Sequence, residues 1–542
     1  METLEDVAFA RMTESEVACA LEKGEIVEFA EGEVIFAEGE RDFPFYVVLD
    51  GAVEISESTS CERRSLTTHL PGAFMGDIDL LTDRVALVTA TASKPSRLIR
   101  IERPVLREAL CMTDEVSARL LDAFIARRTL LRGTGFAGVR LVGSGDDQRT
   151  QELLEFLYKN HVPFSLHDPA TAEGAQALEC LGTDKPRLPA VLHAEYAAER
   201  PEVSEVASAL GILHPVGEEP YDLVVVGAGP SGLAATVYAA SEGVRTLTVD
   251  RLGPGGQAAS SSRIENFIGF PTGISGADLA SRGYLQALKF GARFAIPASV
   301  ESLAPDGDEF VRMALSTGET VRARAALITS GVYYRRLPLE NGHDFTGSGV
   351  YYSATSVQAV ACRESTAVVV GGGNSAGQAA MYLSQHASRV IMTIRSGNLA
   401  ASMSAYLRER IDRTPNIEIR YHTEVKDLRG DHALRGVTLE QNKTGEREDL
   451  DCAGVFVFIG ARPNTEWLPD AIALDERGYV LTGPQASASG WPLEREPCVL
   501  ETSMARVLAG GDIRSGTTKR CGFAVGDGSL AVSCVHTLLG GV

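Results

Sequence analysis

Two apolar strands each run into a glycine-rich turn and then a helix-forming stretch, and this repetition constrains the chain more than any other feature. The first turn is VVVGAGPSG, with Gly227, Gly229, Pro230, Ser231 and Gly232. The second is VVVGGGNSAG, with Gly371, Gly373, Asn374, Ser375 and Ala376. A turn of this kind lets the backbone approach a pyrophosphate, which then sits on the helix N-terminus among free N–H groups. The strand after the first turn ends in Asp250, placed to bind ribose hydroxyls, which favours an unphosphorylated ribose. The strand after the second, RVIMTIRS, ends in Arg395 and has no acid at its tip. An acid there would repel a 2′-phosphate, whereas an arginine can pair with it. The two turns predict two doubly wound α/β units, with NADPH favoured over NADH at the second.

At 542 residues the chain exceeds a single core, so three or four domains are expected. A net charge of −21 argues against nucleic acid as a partner, because that affinity rests on clustered Lys and Arg. No apolar run is read as reaching the ~18–20 residues that span a bilayer. The acidic start METLEDVAFARMTESE lacks the order of a signal peptide. A cytoplasmic protein without a membrane partner is expected. The nine cysteines form no C-x-x-C pair and no zinc-ligand spacing, so no metal site is expected.

Residues from about 25 to 100 alternate as short strands with turn glycines at Gly39 and Gly51, the pattern of an antiparallel β-roll. Residues 115–131 have helical periodicity. A strand at 139–145 opens a β-α-β…β-α order that fits a small three-layer α/β domain. After the linker HPVGEEP, strands and helices alternate to the end.

Further motifs follow the first turn: GPGGQ (253–257), IENFIGFP (264–271) and VLAGGDIRSGTTKRCGFAVGDGSLAV near the C-terminus. Together they resemble the low-molecular-weight thioredoxin reductase family over roughly residues 221–542. The resemblance implies an FAD enzyme oxidising NAD(P)H. It implies that Gly256, Gln257 and Asn266 line the flavin and that Asp512, after Gly511, binds the ribityl chain. It also places Arg520, Cys521 and Gly522 beside the isoalloxazine. The last segment reads as a helix whose positive end would stabilise charge developing at N1 and O2 on reduction. The segments 328–338 and 458–465 resemble the crossovers to and from a nicotinamide domain inserted in the flavin domain. A homodimer is implied by the resemblance only. Of the family's basic signature only Arg395 remains, with Ser396 and Ala400 in the other places.

That family passes electrons from flavin to a neighbouring C-x-x-C disulfide. Here the stretch reads Ser353-Ala354-Thr355-Ser356, so Ser353 and Ser356 stand at both cysteine positions. A hydroxyl cannot form a disulfide, and the usual relay cannot run. Cys521 and Cys534 are read as packing thiols, roughly 20 Å apart on one helix and too far to bridge, with Cys521 acting alone with an external or intersubunit partner as the alternative. Cys362 is read as a packing thiol.

FMGDIDLLTDRVALVTATA resembles the phosphate-binding cassette of cyclic-nucleotide-binding domains. The resemblance gives Asp77 the ribose contact and Arg84 the cyclic phosphate, with Gly76, Val85 and Ala86 beside them. Asp stands for the usual Glu, and the loop before Arg84 is about two residues short. Residues 139–212 resemble a thioredoxin- or glutaredoxin-like fold with Pro189 at its cis-proline and no cysteine in Ser144-Gly145-Asp146-Asp147.

The expected order is a cyclic-nucleotide-binding-like β-roll (1–135), a thioredoxin-like α/β domain (137–213), FAD-binding segments (221–335 and 460–542) and an NAD(P)H-binding domain (336–459). The expected function is a hydride transfer from NAD(P)H to FAD and on to a small protein or small-molecule acceptor. A ferredoxin, quinone or oxygen reductase, and a cyclic-nucleotide-gated redox sensor, are the alternatives.

Overall fold

Alternation of apolar and polar residues between positions 25 and 101 builds two four-stranded antiparallel sheets in the computed structural model. The structure describes residues 3–540 apart from 59–62, 77, 83, 113, 134–135, 137, 146, 180, 182–185, 262, 343, 355–357, 360–361, 400–402 and 432. The chain divides into two compact units, one of residues 1–144, 152–216 and 285–297, the other of 145–151, 217–284 and 298–542.

In the first unit one sheet orders Glu25–Phe29, Ser96–Ile101, Phe45–Asp50 and Phe74–Met75; the other orders Val34–Phe36, Thr89–Ala92, Val53–Ser58 and Arg63–His69. Side chains alternate across each strand, so one face of each sheet turns inward. Phe45, Val47, Phe74, Leu98 and Ile99 fill the core, and Ala123 and Phe124 of the helix Asp114–Gly133 join it. Each of the buried Phe, Val, Leu and Ile side chains contributes about 1.5–3 kcal/mol. A third sheet in this unit orders Phe164–His167, Val139–Val142, Ala190–His193 and Tyr196–Glu199, the first pair parallel and the others antiparallel. The Leu188–Pro189 peptide bond is cis. Helix Ala172–Glu179 and strand Tyr196–Glu199 were absent from the sequence expectation, which assigned no element to either stretch.

In the second unit Tyr221–Val226 lies between Thr246–Val249 and Thr320–Ile328, all parallel, and Val507–Ala509 extends the parallel set. Valine-rich strands buried on both faces need covering layers. Helices Pro230–Ser241 and Cys521–Leu539 supply one, packing Ala235, Ala239, Ala531, Val532 and Val535 against Leu223, Val225 and Leu327. The sequence expectation of no membrane-length apolar run is corrected here: Cys521–Leu539 is long and apolar enough by length and composition. Its apolarity has a local cause, since it packs in this core.

A separate five-stranded parallel sheet orders Val350–Tyr351, Gly454–Val457, Thr366–Val370, Arg389–Ile394 and Ile417–Tyr421. Strands Val332–Tyr334 and Ala461–Pro463, which lead into and out of this region, pair with each other antiparallel.

Candidate active site

The first glycine turn forms where Tyr221–Val226 meets the helix Pro230–Ser241, with Gly229 as N-cap and Pro230 at its first position. Proline is favoured there because its missing N–H would have no intrahelical partner. Gly227 has φ of +110°, and a Cβ on it would lie 2.5 Å from the Thr329 carbonyl oxygen. A Cβ on Gly232 would lie 1.8 Å from the Gly227 oxygen, and one on Gly256 2.9 Å from the Gly229 Cα. Backbone therefore meets backbone across the turn. The Ser231 hydroxyl is buried with no hydrogen-bond partner among the described residues. A pyrophosphate over the helix N-terminus would supply an acceptor, so the cradle fits a dinucleotide.

Asp250 sits at the following strand's end, as its spacing predicts. Its Oδ2 accepts from the Ala228 N–H at 2.8 Å, and its Oδ1 accepts from the Leu252 and Gly253 N–H groups at 2.9 Å. The carboxylate thus braces the turn that holds it. The Gln257 amide donates to the Val332 carbonyl on the outgoing crossover strand. Asn266 lies exposed in the 264–271 loop.

The C-terminal helix begins at Cys521 with Arg520 as N-cap, and Gly522 is exposed in its first turn. Asp512 lies in the short 3-10 turn Gly511–Ile513; burial raises its carboxyl, Lys519 opposes this and Asp527 adds to it. Burial, and then the Asp512 charge, raises the Cys521 thiol to about 11 and the Tyr334 hydroxyl to about 12.

Asp527 was missed in the sequence. Its Oδ2 accepts from the Gly511 N–H and Arg514 Nε at 3.0 Å, and its Oδ1 accepts from Arg514 Nη2 at 3.0 Å. An acid in an otherwise apolar helix was the available signal. Thr329 was also missed; its hydroxyl donates to the Gly227 carbonyl at 2.8 Å.

At the second turn, Gly371 has φ of +134° and a Cβ would lie 2.3 Å from the Phe458 carbonyl oxygen. Gly373 caps the helix Asn374–Leu383, and the Asn374 Oδ1 accepts from the Ser404 N–H at 2.8 Å. Ser375 is exposed at the helix start, and Ala376 is fully buried against the sheet. Arg395 stands exposed just past Arg389–Ile394, with no ion pair among the described residues. Glu265 in the 264–271 loop accepts from Arg410 Nη1 with both oxygens, at 2.8 and 2.7 Å.

Ser353 is half-buried just past the strand Val350–Tyr351, while Ser356 lies outside the described residues. Cys521 and Cys534 lie at the start and in the later part of one helix, as expected. The sequence missed that Cys534 meets Cys498, the two thiols sharing a hydrogen bond; burial first, then Cys534, raises Cys498 to about 11. Cys362 is fully buried and raised by burial to about 12, as suits a packing thiol.

In the β-roll, Gly76 and Ala86 line a cavity, Val85 is buried, and Asp77 lies outside the described residues. Arg84 is buried; its Nη1 donates to the Asn160 carbonyl at 2.5 Å, while its Nη2 has no hydrogen-bond partner among the described residues. A sequence pattern places the residue in the cassette but does not fix the direction of its side chain.

The family model for pyridine nucleotide-disulphide oxidoreductases matches residues 221–528, more than half of the chain. The chain belongs to that family and is an FAD-dependent pyridine nucleotide oxidoreductase of thioredoxin-reductase-like type. A second model, for the cyclic nucleotide-binding domain, matches residues 26–111. The chain is 33% identical to the thioredoxin reductase of Treponema pallidum over 316 residues, 58% of this chain and 95% of that one. It is 30% identical over 325 residues to the 34.2 kDa protein in the rubredoxin operon of Clostridium pasteurianum, 60% of this chain and 99% of that one. The crystal structure of T. acidophilum thioredoxin reductase superposes with a TM-score of 0.53 at 27% identity, covering 59% of this chain and 99% of that one.

Proposed function

We propose that the protein oxidises NADPH and delivers the electrons from FAD directly to an acceptor, without an internal dithiol. The observation that carries this reading is the serine pair Ser353 and Ser356 where the relay needs two thiols. Cys521, on the helix that would face the flavin, is held protonated by burial and by Asp512. It lacks the low pKa that marks reactive thiols.

FAD held in this cradle would supply a two-electron carrier between a nicotinamide and the acceptor. Gly227, Gly229, Pro230, Ser231 and Gly232 would hold its pyrophosphate, and Asp250 its ribose. Gly256, Gln257, Asn266, Gly511, Asp512 and residues 520–522 would surround the rest. Gly371, Gly373, Asn374, Ser375 and Ala376 would seat the NADPH pyrophosphate, and exposed Arg395 its 2′-phosphate. The acceptor is a small protein or small molecule. The chain's likeness to thioredoxin reductases supports a thioredoxin-like disulfide as the second reading.

Anaerobic NADPH titration of the FAD-loaded protein, followed by flavin absorbance, separates the two. One hydride equivalent per flavin is expected. Uptake of two would reveal a working dithiol and restore the disulfide-reductase reading.

A further inference from the structure

The β-roll of the first unit surrounds a cavity of about 410 Å³. Its wall is chiefly apolar: Phe36, Phe43 and Met75 from the sheets and their loops, Leu66 from a neighbouring strand, and Leu130 and Leu131 from the helix that closes the roll. Small-molecule sites occupy about 300–1,000 Å³ and are lined by apolar groups with a few polar ones for orientation. This cavity meets both conditions.

Among the described residues, its wall offers a phosphate no arginine that is not already engaged by other groups. A buried anion needs opposite charge and directed donors, or its desolvation is not offset. Arg84 is turned to the Asn160 carbonyl. Among the described residues the arginines on the wall are Arg64 and Arg127. Arg127 donates from Nε to the Ala8 carbonyl at 2.7 Å, from Nη1 to Gly76 at 2.7 Å and from Nη2 to Phe74 at 3.0 Å. Its face also lies 4.3 Å over the Phe74 ring. Three of its five N–H donors are thus committed to backbone carbonyls. Arg64 is held by Glu57, 2.8 Å away, whose side chain is almost fully buried. His69, also on the wall, is lowered to about 3 by burial and then by the Arg127 charge, so it is neutral.

We propose that the β-roll cavity binds an uncharged, largely apolar small molecule in place of a cyclic nucleotide. Ser65 and Thr67 on its wall supply hydroxyls that orient a carbonyl or hydroxyl of that ligand. The proposal does not depend on which acceptor the flavin serves, and it is read by binding alone.

The test uses the full-length, FAD-loaded protein and the neutral apolar fluorophore N-phenyl-1-naphthylamine. The expected result is saturable fluorescence at one site per chain, unchanged by an excess of cyclic AMP or cyclic GMP. Leu66→Trp and Leu130→Trp fill the cavity from two different elements, so a folding failure in one, seen in its circular dichroism melt, leaves the other to report. A folded filler variant should bind the probe at least tenfold more weakly while oxidising NADPH at the parent rate. The proposal is overturned by the absence of saturable binding, by undiminished binding in a folded filler variant, or by displacement of the probe with a cyclic nucleotide.

Discussion

The two glycine turns share a sequence pattern but differ in how their surroundings are built. At the first, Gly232 could not carry even a methyl group, and Asp250 is tied by three backbone N–H groups to the loop around it. At the second, an alanine occupies the matching place without strain, and the strand-end Arg395 stands exposed. A closed, internally braced cradle suits a resident cofactor that must not leave. An open turn with an exposed cation suits a dinucleotide that arrives, reacts and departs.

The sharpest way to break this contrast is Gly232→Ala. Its Cβ would overlap backbone, which cannot swing aside, so flavin content per chain should fall to below about a tenth of the parent's. Asp250→Ala removes the acceptor of three N–H groups and should weaken FAD binding by about 3 kcal/mol, roughly a hundredfold in a reconstitution titration. If flavin were retained in both variants, the first turn would not be the FAD site.

At the open turn the expected change is smaller and selective. Arg395→Ala should raise the KM for NADPH about tenfold while leaving that for NADH within about twofold. A parallel loss for both nucleotides would instead assign Arg395 a structural role. Cys521 belongs to neither turn and starts the C-terminal helix. With its thiol raised to about 11, alkylation near pH 7 should be slow. The rate should rise about tenfold per pH unit until the pH nears that value. Fast labelling at pH 7 would reveal an activated thiol and reopen the dithiol reading. The smallest effect is expected at the ion pair joining the two halves: Arg410→Ala removes an exposed contact worth under about 1 kcal/mol and should shift kcat less than about threefold.

Features carried by local pattern were legible in the chain. Glycines at positive φ, strand alternation in the β-roll and the long C-terminal helix each follow from neighbours a few residues apart. Contacts between distant segments were not. The Asp527 brace on Gly511 and Arg514, the meeting of Cys498 with Cys534, and the turning of Arg84 to Asn160 all depend on tertiary approach. Arg84 shows the limit most clearly, because a motif specifies which residue stands in a loop but not which way its side chain leaves it. The same limit hid the apolar character of the β-roll cavity, whose wall draws on segments from Glu5 to Leu131.

The antiparallel pairing of Val332–Tyr334 with Ala461–Pro463 has a consequence for how such chains diversify. Both ends of the intervening segment leave the rest of the chain side by side, like the two prongs of a plug. A recombination event at those two points would exchange the five-stranded sheet and its glycine turn as one piece, while the ladder around Tyr221–Val226 stayed in place.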